Sequence, residues 1–149
     1  ILITSNNDNS ITFWNTYHHN KLHSIKGHYA YAYGTKMIEL PNGLVAISSC
    51  VKPYPILIVD PITYSIVKEI KDKEYITYHS SLCVLDQHSF IYVCSGNVVQ
   101  IAIGSDYRIL FKTKREQQLG GFNGLVSVRG GEYLIVQSGY GFKVIKPSY

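Results

Sequence analysis

Short apolar runs, bounded by Gly, Pro, Asn and Asp, recur along the whole chain. The first run, "LITSNNDNSITFWN" at residues 2–15, alternates apolar and polar positions on both sides of a polar turn. A third run, "KLHSIKGH", follows at residues 21–28. Alternation in short segments is typical of β-strands, and the Gly and Pro punctuation argues against long helices. The pattern therefore predicts antiparallel strands joined by tight turns.

The strand-and-turn pattern repeats three more times towards the C-terminus. The position of Trp14 recurs at Val59, then near Ala102 and near Ile145, at intervals in the low forties. A repeat of about 40–45 residues with four short strands is the signature of a propeller blade, which buries its faces only against neighbouring blades.

The sequence therefore predicts one all-β domain over residues 1–149, a partial β-propeller of four-stranded antiparallel blades. Its predicted blades cover residues 1–28 (incomplete), 29–73, 74–113 and 114–149.

The first repeat resembles a WD40 repeat. Trp14-Asn15 stands where that family has Trp-Asp, and Gly27-His28 stands where it has Gly-His. The second repeat keeps the Asp in Val59-Asp60, and the later repeats match by period and strand pattern. The resemblance implies about three and a half WD40-like blades, where members of the family usually close a ring of about seven.

The resemblance also implies a hydrogen-bonded tetrad of His, Ser or Thr, Asp and Trp. Thr4, Asp8 and Trp14 match three of its positions, and the matching His is expected upstream of residue 1. His28 starts the next blade, whose turn "CVKPYP" has no Asp. We therefore interpret the chain, which opens on Ile1 inside a strand-like run, as part of a longer protein. The remaining blades are expected upstream or from another chain.

In a WD40 blade, the loop before the first strand and the turn between the second and third strands lie on one face of the ring. The corresponding loops here are rich in aromatic residues, which are typical anchors of protein interfaces. The alternative is that these rings pack between blades. The candidate partner-binding residues are Tyr29, Tyr31, Tyr54, Tyr75, Tyr78, His79, Phe122 and Tyr140.

Charge changes this picture little. The chain has 14 Lys and Arg against 10 Asp and Glu, a net charge of +4. Its one dense basic patch, Lys112, Lys114 and Arg115, is too small for a nucleic-acid footprint, so we expect a solvated loop and no nucleic-acid partner. No apolar run reaches the ~18 residues of a membrane helix, so no membrane partner is expected.

The three cysteines, Cys50, Cys83 and Cys94, have no CxxC spacing and lie in apolar runs. We interpret them as reduced thiols in the core of an intracellular protein, cytoplasmic or nuclear.

Candidate catalytic groups have simpler explanations. His18 and His19 are adjacent, without a third ligand at metal-binding spacing, so no metal is expected. Asp8 with Ser5 and Ser10 fits a turn in which Asp bonds its own backbone. The Gly-rich segments "LGGFNG" and "VRGGEY" open strands rather than helices, which argues against phosphate binding. The sequence predicts no catalytic residue and no cofactor.

The predicted function is a non-catalytic scaffold or adaptor that binds a protein or peptide on the loop face. The resemblance alone supplies this general role, because a fold does not fix a function. One alternative is the substrate-recognition propeller of a ubiquitin ligase. The other is part of an enzymatic propeller, a hydrolase or a quinone-dependent oxidoreductase.

Overall fold

The computed structural model describes residues 1–6, 8–27, 36–48, 56–71, 81–94, 97–112, 122–128, 130–138 and 141–146. All the regular secondary structure in these residues is β-strand. The strands form four antiparallel sheets, and strands that follow one another in sequence are neighbours in the sheet. The all-β class follows the alternating pattern of the sequence.

Sheets 1 and 4 have three strands each, and sheets 2 and 3 have four. Sheet 1 contains β1 (Leu2–Ser5), β2 (Ser10–Asn15) and β3 (Asn20–Lys26). Sheet 2 contains β4 (Met37–Glu39), β5 (Val45–Ser48), β6 (Ile56–Asp60) and β7 (Ser65–Ile70). Sheet 3 contains β8 (Ser81–Val84), β9 (Ser89–Cys94), β10 (Asn97–Ala102) and β11 (Ile109–Lys112). Sheet 4 contains β12 (Phe122–Val128), β13 (Tyr133–Ser138) and β14 (Gly141–Ile145).

Polar residues and glycines fix the turns between strands. After β6, the Asp60 carboxylate accepts hydrogen bonds from the N–H of Ile62 at 2.7 Å and from the hydroxyl of Thr63 at 2.8 Å. These bonds, the one from Ile62 first, lower the pKa of Asp60. After β4, Gly43 has a φ of +81°, and its N–H donates to the carbonyl of Leu40 at 2.9 Å. This left-handed conformation favours glycine over residues with a side chain.

Each inner sheet is buried on both faces, because successive side chains of a strand point to opposite sides. Alternate apolar residues of sheet 2 therefore belong to two different cores. One set packs against Ile11 and Phe13 of sheet 1, and the other packs against Phe90 and Tyr92 of sheet 3. The first set is Ile47, Leu57 and Val59, and the second is Ala46, Ile56 and Ile58.

Sheet 3 repeats the same arrangement towards sheet 4. Ile91 and Val93 alternate with Phe90 and Tyr92 along β9, and they pack against sheet 4 rather than sheet 2. The sheets are therefore stacked face to face in chain order. This explains why β6 and β9 are continuous apolar runs instead of alternating ones.

Contacts between the turns show that the four sheets are stacked in the same orientation. The Phe13 ring of sheet 1 lies 5.3 Å from the Tyr64 ring, which follows β6. The amide of Asn42, between β4 and β5, donates to the hydroxyl of Tyr107, between β10 and β11, at 3.0 Å. Gly131, between β12 and β13, touches Leu85, which follows β8. These turns lie along one edge of the stack, here called the opposite edge.

The other edge is called the loop edge and is formed by the far ends of the same strands. The strand ends on the loop edge are Ser5, Ser10, Lys26, Met37, Ser48, Ile56, Ile70, Ser81, Cys94, Asn97, Lys112, Phe122, Ser138 and Gly141. The first strands of sheets 2, 3 and 4 start there, and β8 lies beside both β4 and β12.

A β-bulge marks the same position in three sheets. The pairing register shifts at Trp14 in sheet 1, at Val59 in sheet 2 and at Ile101 in sheet 3. The structural equivalent of Trp14 in sheet 3 is thus Ile101, next to Ala102, near which the sequence predicts it. Ile101 packs towards sheet 2, as Val59 packs towards sheet 1, because both point to the preceding sheet.

Candidate interaction surfaces

The loops predicted to bind a partner join strand ends on the loop edge. His28 and seven of the eight candidate partner-binding residues lie outside the described residues. These seven are Tyr29, Tyr31, Tyr54, Tyr75, Tyr78, His79 and Tyr140. The eighth, Phe122, is the first residue of β12, and its backbone alone is described. The role of these rings in partner binding stays a prediction.

Two of the three tetrad-like residues are joined directly. The indole Nε1–H of Trp14 donates to the hydroxyl of Thr4 at 2.9 Å, across the β1–β2 pair. The Asp8 carboxylate instead accepts from the hydroxyl of Ser10 at 2.6 Å and from its N–H at 3.2 Å. These bonds, the hydroxyl first, lower the pKa of Asp8. Asp8 therefore acts within its own turn, as the alternative reading of Asp8, Ser5 and Ser10 implied.

Asn6 also takes part in the hydrogen bonding of sheet 1, a role that the sequence does not predict. Its side-chain amide donates to the hydroxyls of Ser10 and Thr12, both at 2.9 Å. The hydroxyl of Thr12 in turn lies 3.2 Å from that of Ser24 in β3. This polar row spans all three strands of sheet 1, on the face that points away from sheet 2. Because buried polar groups need partners, the row holds the strands in register.

A cavity of about 330 Å³ lies next to Trp14 at the opposite edge. It is lined by Leu2, Trp14, Asn15, Thr16 and His19. The turn beside it is held by Asn15, whose side-chain oxygen accepts from the N–H of Tyr17 at 2.8 Å and of His18 at 3.0 Å. His18 and His19 are therefore exposed turn residues.

Sheet 4 leaves an apolar face uncovered by the described residues. On the side away from sheet 3, Val126 pairs with Ile135, which pairs with Val144. Val126 is 57 % exposed, Val144 62 % and the neighbouring Phe142 76 %. Contiguous exposed apolar rows are typical of interaction surfaces.

Cys83 links the first strands of sheets 3 and 4. Its Sγ accepts from the N–H of Ser127 at 3.2 Å, and burial raises the pKa of the thiol. A thiol with a raised pKa is a poor nucleophile, so this contact is structural. Cys83 is a free thiol, whereas Cys50 and the side chain of Cys94 lie outside the described residues.

Within the described ranges, no three His, Cys, Asp or Glu side chains are grouped to hold a metal ion. In the same residues, no helix has the length and apolar character needed to cross a membrane.

No protein-family model and no curated protein matches the sequence. A chain in the crystal structure of the mitotic checkpoint complex is similar in structure, with a TM-score of 0.78 and 13% sequence identity. The match covers 99% of this chain and 45% of that chain. The fold is a partial β-propeller. The predicted fold class is thereby confirmed, and this chain spans less than half the length of its structural neighbour.

Proposed function

We propose that this protein is a non-catalytic interaction module of the WD40-repeat type, which binds a protein or peptide at the loop edge. Two observations support the proposal: the propeller fold, and the place of its structural neighbour in a complex of several proteins. The first repeat supports the WD40 type through Trp14-Asn15 and Gly27-His28.

The alignment of strand ends on the loop edge carries this proposal. Rigid sheets hold the ends of β3, β4, β7 and β8 at one edge, from which the Tyr-rich segments 27–33 and 73–79 leave and return. Loops on a rigid scaffold are where binding residues concentrate. Tyrosine suits such a surface because it gives a large contact area together with a polar tip.

The described carboxylates Asp8 and Asp60 lack the environment of a general acid. Both accept hydrogen bonds within their own turns, which lower their pKa values. A general acid at neutral pH needs the opposite shift. Their role is therefore to close turns.

We further propose that the outer face of sheet 4 receives another antiparallel sheet of the same kind, from a longer chain or from another chain. Each pair of neighbouring sheets already packs through alternate apolar residues. The row Val126, Ile135 and Val144 continues that series. The protein is proposed to work inside the cell, where a free thiol such as Cys83 stays reduced.

The experiment is affinity capture of partners by the wild-type protein and by two variants. The loop variant changes Tyr29, Tyr54 and Tyr140 to Ala. The control is Tyr17→Ala, because Tyr17 is 84 % exposed in a turn at the opposite edge. We expect partners that the wild type and the control retain and the loop variant loses. Equal capture by all three proteins would contradict the proposal, as would turnover of a small molecule with no partner found.

A further inference from the structure

A small cleft opens at the loop edge where the first strands of sheets 2, 3 and 4 begin. Its volume is about 230 Å³, and it is lined by Lys36, Ser81, Leu82, Gly124 and Leu125. Lys36 directly precedes β4, Ser81 is the first residue of β8, and Gly124 lies near the start of β12. The cleft therefore joins three sheets at the edge from which the proposed binding loops leave.

Hydrogen bonds hold the backbone of Lys36 in place, whereas its ammonium group forms no ion pair with the described residues. Its N–H donates to the hydroxyl of Ser48 at 2.7 Å, and its carbonyl accepts from the N–H of Ser48 at 2.8 Å. Among the described residues, no carboxylate lies within ion-pair distance of its ammonium group. The backbone of Lys36 is thus anchored to the end of β5, and its side chain is exposed.

Ser81 adds a hydroxyl to the same cleft. The residue is only 6 % exposed, and its hydroxyl has no hydrogen-bond partner among the described residues. Ser81 and Lys36 thus present a neutral donor and a cation to one cavity.

The rest of the lining is apolar or has no side chain. Leu82 is buried and Leu125 is half-buried. A Cβ at Gly124 would lie 3.1 Å from Oε1 of Gln137, so glycine keeps this wall clear. The cleft therefore combines a cation and a hydroxyl with a short apolar wall.

We propose that this cleft binds the carboxylate of an acidic side chain, Glu or Asp, of a bound peptide. Lys36 pairs with the carboxylate, Ser81 donates to it, and Leu82 and Leu125 contact the methylene groups. The inference rests on the proposed peptide binding at the loop edge. The net charge of +4 also favours acidic partners, since complementary charge speeds encounter and sets register.

The lining favours a carboxylate over a nucleic-acid phosphate. Lysine binds both groups, but a phosphate usually draws several donors at once, from forked arginines or from converging N–H groups at the start of a helix. The described lining of this cleft has a single lysine and belongs to strands. One cation, one hydroxyl and two leucines match an acidic side chain of a peptide better.

The test is selection from a displayed random-peptide library against three forms of the whole chain: wild type, Lys36→Glu and Lys68→Glu. Lys68 is an exposed lysine of β7 outside the cleft, which makes it the matched control. We expect Glu or Asp at one fixed position of the peptides selected by the wild type and the control. The Lys36→Glu variant should lose this preference or replace it with Lys or Arg.

Affinities for one selected acidic peptide make the test quantitative. We expect Lys36→Gln to weaken binding about tenfold, as loss of a charged hydrogen bond does, and Ser81→Ala to weaken it several-fold. Lys68→Gln should bind like the wild type. Circular dichroism and a thermal melt show that each variant is folded.

Three results would overturn the inference. Selected peptides without an acidic preference, or with one that Lys36→Glu leaves unchanged, refute the carboxylate site and leave the proposed function standing. A folded wild type that selects no peptide refutes the site, and the partner-capture experiment then decides the proposed function separately. Binding of a DNA duplex that depends on Lys36 would assign the cleft to phosphate instead.

Discussion

At the scale of single residues, Gly131 shows how closely sheets 3 and 4 meet. Its φ is +97°, and a Cβ there would lie 2.6 Å from the carbonyl oxygen of Leu85 and 2.9 Å from its Cδ1. The first of these atoms belongs to the backbone, which has little room to yield. Two independent constraints, the left-handed conformation and the close approach, therefore require glycine at this position.

We expect Gly131→Ala to lower the free energy of unfolding by more than the ~1–2 kcal/mol that a left-handed alanine costs by itself. Gly130→Ala isolates that cost, because Gly130 has a φ of +63° and nothing within 4 Å of its Cβ position. Gly104→Ala, with neither constraint, should be close to neutral. Urea unfolding of the three variants measures the series. Equal losses for Gly130→Ala and Gly131→Ala would show that the sheets separate easily at this point.

The bond between Trp14 and Thr4 is also a residue-scale feature. It joins β1 to β2 on the face of sheet 1 that points away from sheet 2. We expect Trp14→Phe, which removes the N–H donor and keeps an aromatic ring, to cost about 1 kcal/mol of unfolding free energy. Thr4→Val should cost a similar amount, since it removes the acceptor and keeps the shape.

A double-mutant cycle tests this bond directly. If the hydrogen bond carries the effect, the double variant loses less than the sum of the two single variants. Strict additivity would mean that the two side chains stabilise the sheet independently.

At the scale of elements, the repeat is most clearly defined by the bulge in the last strand of sheets 1, 2 and 3. At each register shift, the last strand contains one extra residue that is left out of the pairing. This residue is Leu22 in β3, Val67 in β7 and Leu110 in β11. All three are apolar and exposed. A bulge increases the local twist of a strand and ends regular pairing. Its recurrence shows that sheets 1, 2 and 3 are built as one repeated unit.

The element scale also shows why the sequence predicts the sheets so well. Strands and turns depend on neighbouring residues, such as the alternation in β2 or the carboxylate of Asp60 that closes its own turn. The equivalent of Trp14 in sheet 3 is predicted only to within one residue, because Ala102 and Ile101 are both apolar strand residues. Only the pairing with β11 distinguishes them.

Contacts between sheets are harder to predict. The bond from Asn42 to Tyr107 joins turns from two sheets, and the cleft of Lys36 and Ser81 is assembled from three. Neither arrangement has a local sequence signal, since each depends on how the sheets stack. Asn6 was missed for a related reason, because an Asn in a turn usually bonds its own backbone.

At the scale of the whole molecule, the uncovered face of sheet 4 makes self-association a specific prediction. We expect the purified chain to form dimers or larger species in a concentration-dependent way, because Phe142 and Val144 present apolar side chains for packing. Phe142→Ser with Val144→Ser should shift the chain towards the monomer. Ile62→Ser is the control, since Ile62 is 80 % exposed in a turn at the opposite edge.

Light scattering over a range of concentrations measures the effect. A stable monomeric wild type would contradict the proposed packing face. If the double variant and Ile62→Ser shift the chain towards the monomer equally, the association is due to nonspecific hydrophobic contacts rather than to this face.

The central claim is that the loop edge is the binding surface of this partial propeller. Hydrogen–deuterium exchange, with and without a captured partner, tests it most directly. The account predicts slower exchange in peptides that include Lys26, Lys36 and Ser81, and unchanged exchange in the turns at 16–19 and 61–64. Protection of those two turns, with the loop edge unchanged, would contradict it.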